Sequence, residues 1–138
     1  WLVRRDWLEG WTVRWQWRGH SLDVMGADVI SSLGVARDPL LQELMALTVE
    51  AEPDILVGDF NAPRRSRALC PLPDGYRHAY NVAGRGWAYT WPAPASLLAI
   101  DHCILGRGVR PLRYELASTA SSDHRLQRLL FEMRPTEP

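Results

Sequence analysis

The stretch "ILVGDFNAP", residues 55–63, decides how the rest of the sequence is interpreted. It begins as a short, continuously apolar run, which is typical of a strand that is covered on both faces. It ends in a carboxylate at Asp59 and a carboxamide at Asn61, which a buried core would not select. Because functional side chains in layered α/β folds gather at strand ends, the stretch predicts a buried strand that leads into a site.

The segments before this strand predict a hairpin and a helix. "TVRWQWR", residues 12–18, and "SLDVMGADVI", residues 21–30, both have strand character, and "GH" between them indicates a turn. Asp38 and Pro39 are residue types of an N-cap and a first helical position, and the leucine-rich segment after them has helical spacing until close to Pro53.

The segments after the strand predict a loop-rich region and three further strands. Residues 62–74 form a loop rich in proline and arginine with one helical turn, and residues 75–91 predict a short helix and a loop that leads into a brief strand at Tyr89–Trp91. The apolar stretches that predict strands are "AIDHCIL", residues 99–105, "VRPLRYEL", residues 109–116, which is broken, and "LQRLLFEM", residues 126–133. This order indicates an α/β layered domain over residues 1–133, with residues 134–138 as a tail.

Composition limits the classes of function. The 138 residues, of which 46% are apolar and 23% charged, suffice for one domain with one sizeable core. Sixteen basic and sixteen acidic residues cancel, so no overall positive field indicates nucleic acid. Cys70 and Cys103 lack metal-ligand spacing and are predicted to be isolated thiols. No apolar run approaches the roughly eighteen residues of a membrane span, so this segment predicts no membrane contact of its own.

Two further pairs of polar residues lie at predicted strands. Asp101 and His102 are inside "AIDHCIL", and Asp123 and His124 precede the last strand. Aspartate and asparagine oxygens suit Mg²⁺ or Mn²⁺, and a histidine beside them can act as a general base toward water. Taken singly, an Asp after a strand is commonly a turn or helix cap, and "SDH" a solvated loop. The combination, in this order, favours a catalytic site.

The motifs "ILVGDFNAP", "YTWPAP", "AIDHCIL" and "SSDHR", in this order, resemble the endonuclease/exonuclease/phosphatase superfamily. This is the fold of deoxyribonuclease I, abasic-site endonucleases, sphingomyelinases and inositol-phosphate phosphatases. The resemblance covers residues 20 to 133. It implies an α/β fold that is the C-terminal half of a four-layer β-sandwich flanked by helices. It also implies metal-dependent cleavage of a phosphoester bond.

The resemblance implies a catalytic role for four residues. Asp59 and Asn61 match the pair that contacts the scissile phosphate and orients or activates the attacking water. His124 matches the histidine that contacts the phosphate or relays a proton, and Asp101 matches the aspartate that fixes its ring. A carboxylate bonded to one imidazole nitrogen sets the tautomer and leaves the other nitrogen for the substrate.

The resemblance also implies a cofactor and a substrate contact. Asp123 matches a metal-linked aspartate, which together with Asp59 would hold Mg²⁺ or Mn²⁺. Trp91 matches an aromatic residue at a strand end near the substrate cleft, although a packing residue is an equally good interpretation. Asn61 and His124 would share in substrate binding.

The sequence departs from the family pattern in several places. The family's N-terminal asparagine and metal-binding glutamate have no counterpart, so we expect a missing N-terminal half of the same domain as a partner. Many relatives have a histidine in the strand that here contains Asp28, the nearest polar candidate. Ala99 stands where an arginine is frequent, and Leu126 and Gln127 replace a more usual proline and valine.

The three remaining histidines are assigned to other places. We expect His20 in a turn, His78 in a surface helix and His102 packed behind the site. The tryptophan-rich opening is expected to form part of an apolar face that the missing half would cover; its members are Trp1, Trp7, Trp11, Trp15 and Trp17.

Three functions remain open at this stage. The first is a Mg²⁺-dependent phosphoesterase acting on a small phosphoester, a lipid head group or nucleic acid, the second a non-catalytic scaffold with the same fold, and the third a DNA endonuclease. For DNA the basic stretch is "PRRSR", residues 63–67, which is also typical of a solvated turn. The bacterial-type "GRGWAYTWP" stretch resembles relatives attached to membranes through N-terminal helices, so the location is cytoplasmic or, through an anchor preceding this chain, extracytoplasmic.

Overall fold

The computed structural model describes residues 2–17, 19–32 and 34–133. Its elements are β1 (Leu2–Arg5), β2 (Leu8–Trp17), β3 (His20–Val29), α1 (Arg37–Ala51), β4 (Ile55–Asp59), β5 (Arg77–His78), α2 (Ala79–Ala83), β6 (Asp101–Leu105), β7 (Val109–Ala117) and β8 (Leu126–Met133), with a 3₁₀ turn at Arg67–Leu69. Six strands form one sheet in the order β1-β2-β3-β4-β6-β5, and β7 and β8 form a second sheet.

The predicted hairpin is confirmed by β2 and β3, which pair antiparallel from Leu8 opposite Val29 to Trp17 opposite His20. The chain then crosses over through α1, so that β4 pairs parallel with β3. On its other side β4 pairs antiparallel with β6. The strand that carries Asp59 is therefore central in the sheet, as its apolar sequence predicted.

The central strands of the main sheet are covered on both faces. One face packs against α1, whose buried side chains are Leu41, Leu44, Met45 and Thr48. The other face packs against the second sheet in a separate cluster that includes Ile55, Leu105, Tyr114 and Leu116. This mixed α/β arrangement of two stacked sheets with few helices confirms the predicted fold class.

The start of α1 differs from the prediction. The N-cap is Ala36 without a side-chain hydrogen bond, and Asp38 lies in the first turn, where its negative charge favours the positive end of the helix dipole. The guanidinium of Arg37 donates to the carbonyls of Ser32 and Val35, at 2.9 and 3.2 Å, and so ties the helix start to the preceding loop. Arg37 Nε also donates to the Asn61 carbonyl at 3.3 Å, so the helix start is held by this arginine and not by a capping side chain.

The predicted brief strand at Tyr89–Trp91 is not formed as a strand. The structure has an isolated bridge between Trp91 and Leu98. Pro92 and Pro94 follow directly, and because proline has no backbone N–H, a ladder cannot continue through them. By contrast, the predicted break in β7 is present as a register shift between Pro111 and Arg113.

The histidines were predicted with mixed success. His78 was expected in a surface helix, but it lies in β5, is 6% exposed and has its ring 5.5 Å from that of His102. The apolar surroundings that bury β5 come from β6 and the loop at Leu69, which local sequence does not reveal. His102 is packed inside as expected, and its Nε2 bonds the Ala62 carbonyl at 2.7 Å. His20, expected in a turn, is exposed but is the first residue of β3, opposite Trp17.

Several smaller expectations can be compared directly. Cys70 and Cys103 are free thiols, as predicted. Among the described residues, no helix has the length and apolar character needed to cross a membrane. The predicted tail at residues 134–138 lies outside the described residues.

Candidate active site

The exit of β4 brings carboxylates of neighbouring strands into one row. Asp59 is directly opposite Asp28 of β3 on one side and Asp101 of β6 on the other. Asp28 is in turn opposite Glu9 of β2. Residues paired across adjacent strands project from the same face of a sheet, so the four side chains share one face. The sequence analysis found three of them and missed Glu9, because only strand register places it there.

His124 forms a hydrogen-bonded pair with Asp101. Its Nδ1 lies 3.0 and 2.9 Å from the two carboxylate oxygens of Asp101, which assigns the Nδ1 proton to this contact. The opposite ring nitrogen, Nε2, lies 3.9 Å from Oδ2 of Asp59. The pairing expected from the resemblance is present, and it points Nε2 at the carboxylate that ends β4.

The backbone holds Asp59 and Asn61 in a fixed relation. The Asn61 backbone N–H donates to Oδ1 of Asp59 at 2.8 Å, and the Asn61 side-chain Nδ2 donates to the Val29 carbonyl at 2.8 Å. Asn61 has a φ of 47°, a left-handed conformation that asparagine tolerates better than most residues. Oδ2 of Asp59 is the oxygen left facing His124.

Burial and neighbouring charge set the ionisation of this cluster. Burial raises the pKa of Asp59 to about 6, and the Asp101 charge adds to the rise while the hydrogen bond from Asn61 opposes it. The pKa of Asp28 is also raised, mainly by burial and then by Glu9. Burial lowers the pKa of His124, but the hydrogen bond and charge of Asp101, with Asp59 behind it, outweigh this and raise it overall.

Asp123 and Trp91 lie beside this cluster and contact each other. The Trp91 indole Nε1 donates to Oδ2 of Asp123 at 2.9 Å, and this hydrogen bond lowers the pKa of Asp123. The Trp91 ring centroid is 6.3 Å from that of His124. Asp123 is exposed, with its carboxylate engaged by Trp91. Its assignment as a metal ligand and the substrate role of Trp91 stay predictions.

The donor set fits a hard divalent cation in part. Asp59, Asp101 and His124 each offer a ligand atom, and these atoms all lie within 4.8 Å of one another. Asp101 and His124 already satisfy each other, so the carboxylate best able to receive a cation is Asp59. Magnesium is typically bound through one or two carboxylates together with water and substrate phosphate, which this arrangement can provide.

Arg125, next to His124, was missed by the sequence analysis. Its Nη1 donates to the carbonyls of Trp87 and Tyr89 at 3.1 and 3.3 Å, and its Nη2 donates to that of Leu116 at 2.7 Å. It ties the loop before Trp91 to the segment that carries His124. Its place beside "SDH" was a usable signal, since an arginine there has loop carbonyls within reach.

Comparison with known proteins agrees with this geometry. A family model described as the Endonuclease/Exonuclease/phosphatase family matches residues 17–124. The chain belongs to this family. Its members are hydrolases that act on phosphoester bonds. No curated protein matches the chain significantly.

Solved structures show the same endonuclease/exonuclease/phosphatase fold. A humanized D. rerio TDP2 has a TM-score of 0.73 at 19% identity, covering 91% of this chain and 61% of its own. The Bacteroides thetaiotaomicron mannosyl-6-phosphatase has a TM-score of 0.72 at 15% identity, covering 91% of this chain and 57% of its own. D. rerio TDP2 complexed with single strand DNA product has a TM-score of 0.69 at 18% identity, covering 91% of this chain and 62% of its own. The chain thus spans about three fifths of the length of these relatives.

Proposed function

We propose that the protein is a phosphoesterase that uses Mg²⁺ or Mn²⁺ and hydrolyses its substrate with an activated water. The observation that carries the proposal is the hydrogen-bonded Asp101–His124 pair, with His124 Nε2 directed at Asp59 across 3.9 Å. Asp59 and His124 are neighbouring titratable groups, and both have shifted pKa values. Such pairs are characteristic of acid–base chemistry.

The two groups suit different proton-transfer roles. Asp59, with a pKa of about 6, is ionised at neutral pH yet remains basic enough to accept a proton from water. His124, with its raised pKa, can hold a proton on Nε2 and donate it to an oxygen of the phosphoester. Asp101 keeps the ring oriented through Nδ1, and Asn61 fixes the Asp59 carboxylate.

The cation would be held mainly by Asp59, with Asp28 or Asp123 as further candidates; with the cation bound, Asp59 would orient the water as a ligand instead of taking its proton. When bound, it neutralises phosphate charge and lowers the pKa of a bound water. The carboxylate row fits this requirement, since burial and the neighbouring charges of Asp101 and Asp28 disfavour the charged form of Asp59, and a cation would offset this repulsion.

The first experiment measures hydrolysis of bis-p-nitrophenyl phosphate and p-nitrophenyl phosphate by the full-length protein. His124→Gln or Asp59→Asn should lower kcat by about 10²- to 10⁴-fold, because each removes a group that acts in the transition state. His20→Gln, an exposed histidine at the hairpin turn, is the matched control and should leave turnover unchanged. A chelator should abolish activity and added Mg²⁺ restore it. Full activity in His124→Gln or in chelator would contradict the proposal.

A non-catalytic scaffold is the alternative. It is favoured by the chain's coverage of about three fifths of its solved relatives, because the remaining two fifths of their length is not matched by this chain. The same assay separates the two, since a scaffold hydrolyses neither substrate at any cation concentration. A nuclease activity is a narrower form of the main proposal; it is supported by the likeness to TDP2 complexed with single strand DNA product.

A further inference from the structure

A second pocket opens next to the Asp101–His124 pair. It has a volume of about 580 Å³, and its lining includes Arg64, Arg65, Tyr80, Trp87, Tyr89 and Leu97. We call this the aromatic pocket. Arg64, Tyr80, Ala88 and Ala99 also line a small interior cavity that reaches Asp101. Arg125, which directly follows His124, donates to the carbonyls of Trp87 and Tyr89, so the pocket is tied to the segment that carries His124.

The aromatic pocket presents fixed aromatic rings to solvent. Trp87 is 59% exposed and Tyr89 is 38% exposed, and their ring centroids are 5.1 Å apart. The Trp87 Nε1 donates to the Ser96 carbonyl at 2.8 Å, which holds the ring and leaves its faces as the available surface. Arg125 holds the carbonyls of both residues from behind. The rings are therefore held in place before any ligand arrives.

Positive charge lies on the opposite side of the pocket. The Arg64 guanidinium is stacked over the Tyr80 ring, 4.4 Å from its centroid, and Arg65 is exposed. Within the part of the chain that the structure describes, neither arginine forms an ion pair with a carboxylate. Both charges are thus available to an anionic ligand, in a chain whose formal net charge is zero.

We propose that the aromatic pocket binds a nucleobase that adjoins the phosphoester, with Arg64 and Arg65 contacting phosphate. The inference rests on the proposed function, since it takes the phosphoester to lie at His124. Exposed aromatic rings beside arginines are the combination that stacks bases and tracks a phosphate backbone. A lipid surface fits less well, because the rings line a concavity and the neutral chain offers no general attraction to an anionic bilayer.

The test measures binding without turnover, in the full-length protein carrying His124→Gln. Adenosine 5′-monophosphate and ribose 5-phosphate, which lacks the base, are titrated by calorimetry. The nucleotide should bind more tightly, and Trp87→Leu should weaken nucleotide binding by about tenfold or more without changing ribose 5-phosphate binding, because stacking on one aromatic ring contributes that much. Val49→Ala, at an exposed apolar residue on α1, is the control and should change neither affinity.

Two outcomes would overturn the inference. One is equal affinity for the nucleotide and ribose 5-phosphate. The other is binding to phosphatidylglycerol vesicles that depends on Trp87 while nucleotide binding does not. The affinity for a short single-stranded oligonucleotide is compared with that for the free nucleotide. Tighter binding of the oligonucleotide would show that the base belongs to a polymer. This test measures binding and not turnover. If the hydrolysis assay fails but nucleotide binding still depends on Trp87, the proposed function is wrong and the assignment of the aromatic pocket stands.

Discussion

Folding disfavours the charged form of the Asp59 carboxylate, which keeps this group basic enough to accept a proton near neutral pH. Its pKa is about 6, against an ordinary value of 3.8, because folding buries the carboxylate. Folding therefore favours the protonated form, and the stability linked to Asp59 is fully present below about pH 4 and is lost as the pH rises through 6. The side chain is still 22% exposed, so solvent screening reduces the size of this loss.

This predicts that Asp59→Asn stabilises the protein at neutral and alkaline pH. In the presence of chelator, the variant should have a higher Tm than the wild type at pH 8, and the difference should shrink toward pH 4. Asp123→Asn is the control of opposite sign, because the Trp91 hydrogen bond lowers the pKa of Asp123, and its contribution is present above its ordinary pKa. Thermal unfolding at several pH values measures both. If Tm depends on pH in the same way in Asp59→Asn and the wild type, burial does not disfavour the charged form of Asp59.

At the scale of elements, the approach of β4 to β3 positions Asp59. Gly58 has a φ of 154°, and a Cβ built on it would lie 1.8 Å from the Ala27 carbonyl oxygen. That oxygen belongs to the backbone of β3 and cannot rotate away. The glycine before Asp59 therefore allows two strands to meet closely enough to align Asp28 with Asp59.

Gly58→Ala should lower the free energy of unfolding by about 2–4 kcal/mol, from backbone strain and the clash with β3. The matched control is Gly34→Ala, where the nearest atom to the added Cβ is the Ser32 Oγ at 3.9 Å, and a change within about 0.5 kcal/mol is expected. Denaturant titration measures both variants. A neutral Gly58→Ala would mean that the strands separate at little cost and that the carboxylate row is not held by this contact.

At the scale of the whole molecule, β8 leaves an exposed strand edge that carries two leucines. Among the described strands it pairs only with β7, and Leu126 and Leu130 are 47% and 60% exposed. On β2, Trp11 and Trp15 are also exposed, whereas Trp7 packs against the core; Trp1 and the Trp17 side chain lie outside what the structure describes. An unpaired edge with exposed leucines is a template for association with another strand.

We expect the 138-residue chain alone to self-associate, bind Mg²⁺ weakly and turn over little substrate. Leu130→Lys should raise the monomer fraction in sedimentation at micromolar concentration, because a charge on an exposed strand edge disfavours pairing. Val82→Lys, on the exposed face of α2, is the control and should not. Co-expression with a segment that corresponds to the unmatched part of the longer solved relatives should restore monomer and activity together. A monomeric chain with efficient turnover would contradict this, and Asp28 would then be the first carboxylate to test as the completing metal ligand.

The sequence by itself determined the features that rest on local pattern. The apolar run before Asp59 identified the central strand, and alternation and leucine spacing identified the hairpin and α1. The order of "GDFN" and "SDH" then indicated the family and named Asp59, Asp101 and His124 before any geometry was known. Periodicity and short motifs can be recognised in the sequence because each depends on residues that are near one another along the chain.

Only the tertiary structure decided which of these groups meet and what lies beside them. Glu9 and Asp28 join Asp59 through strand register, and the pKa of Asp59 is set by burial that several elements create together. The contact of Arg37 at the start of α1 with the Asn61 carbonyl, the burial of His78 and the aromatic pocket likewise depend on contacts between distant segments. Long-range pairing and desolvation are properties of the packed molecule, and no local stretch of sequence encodes them.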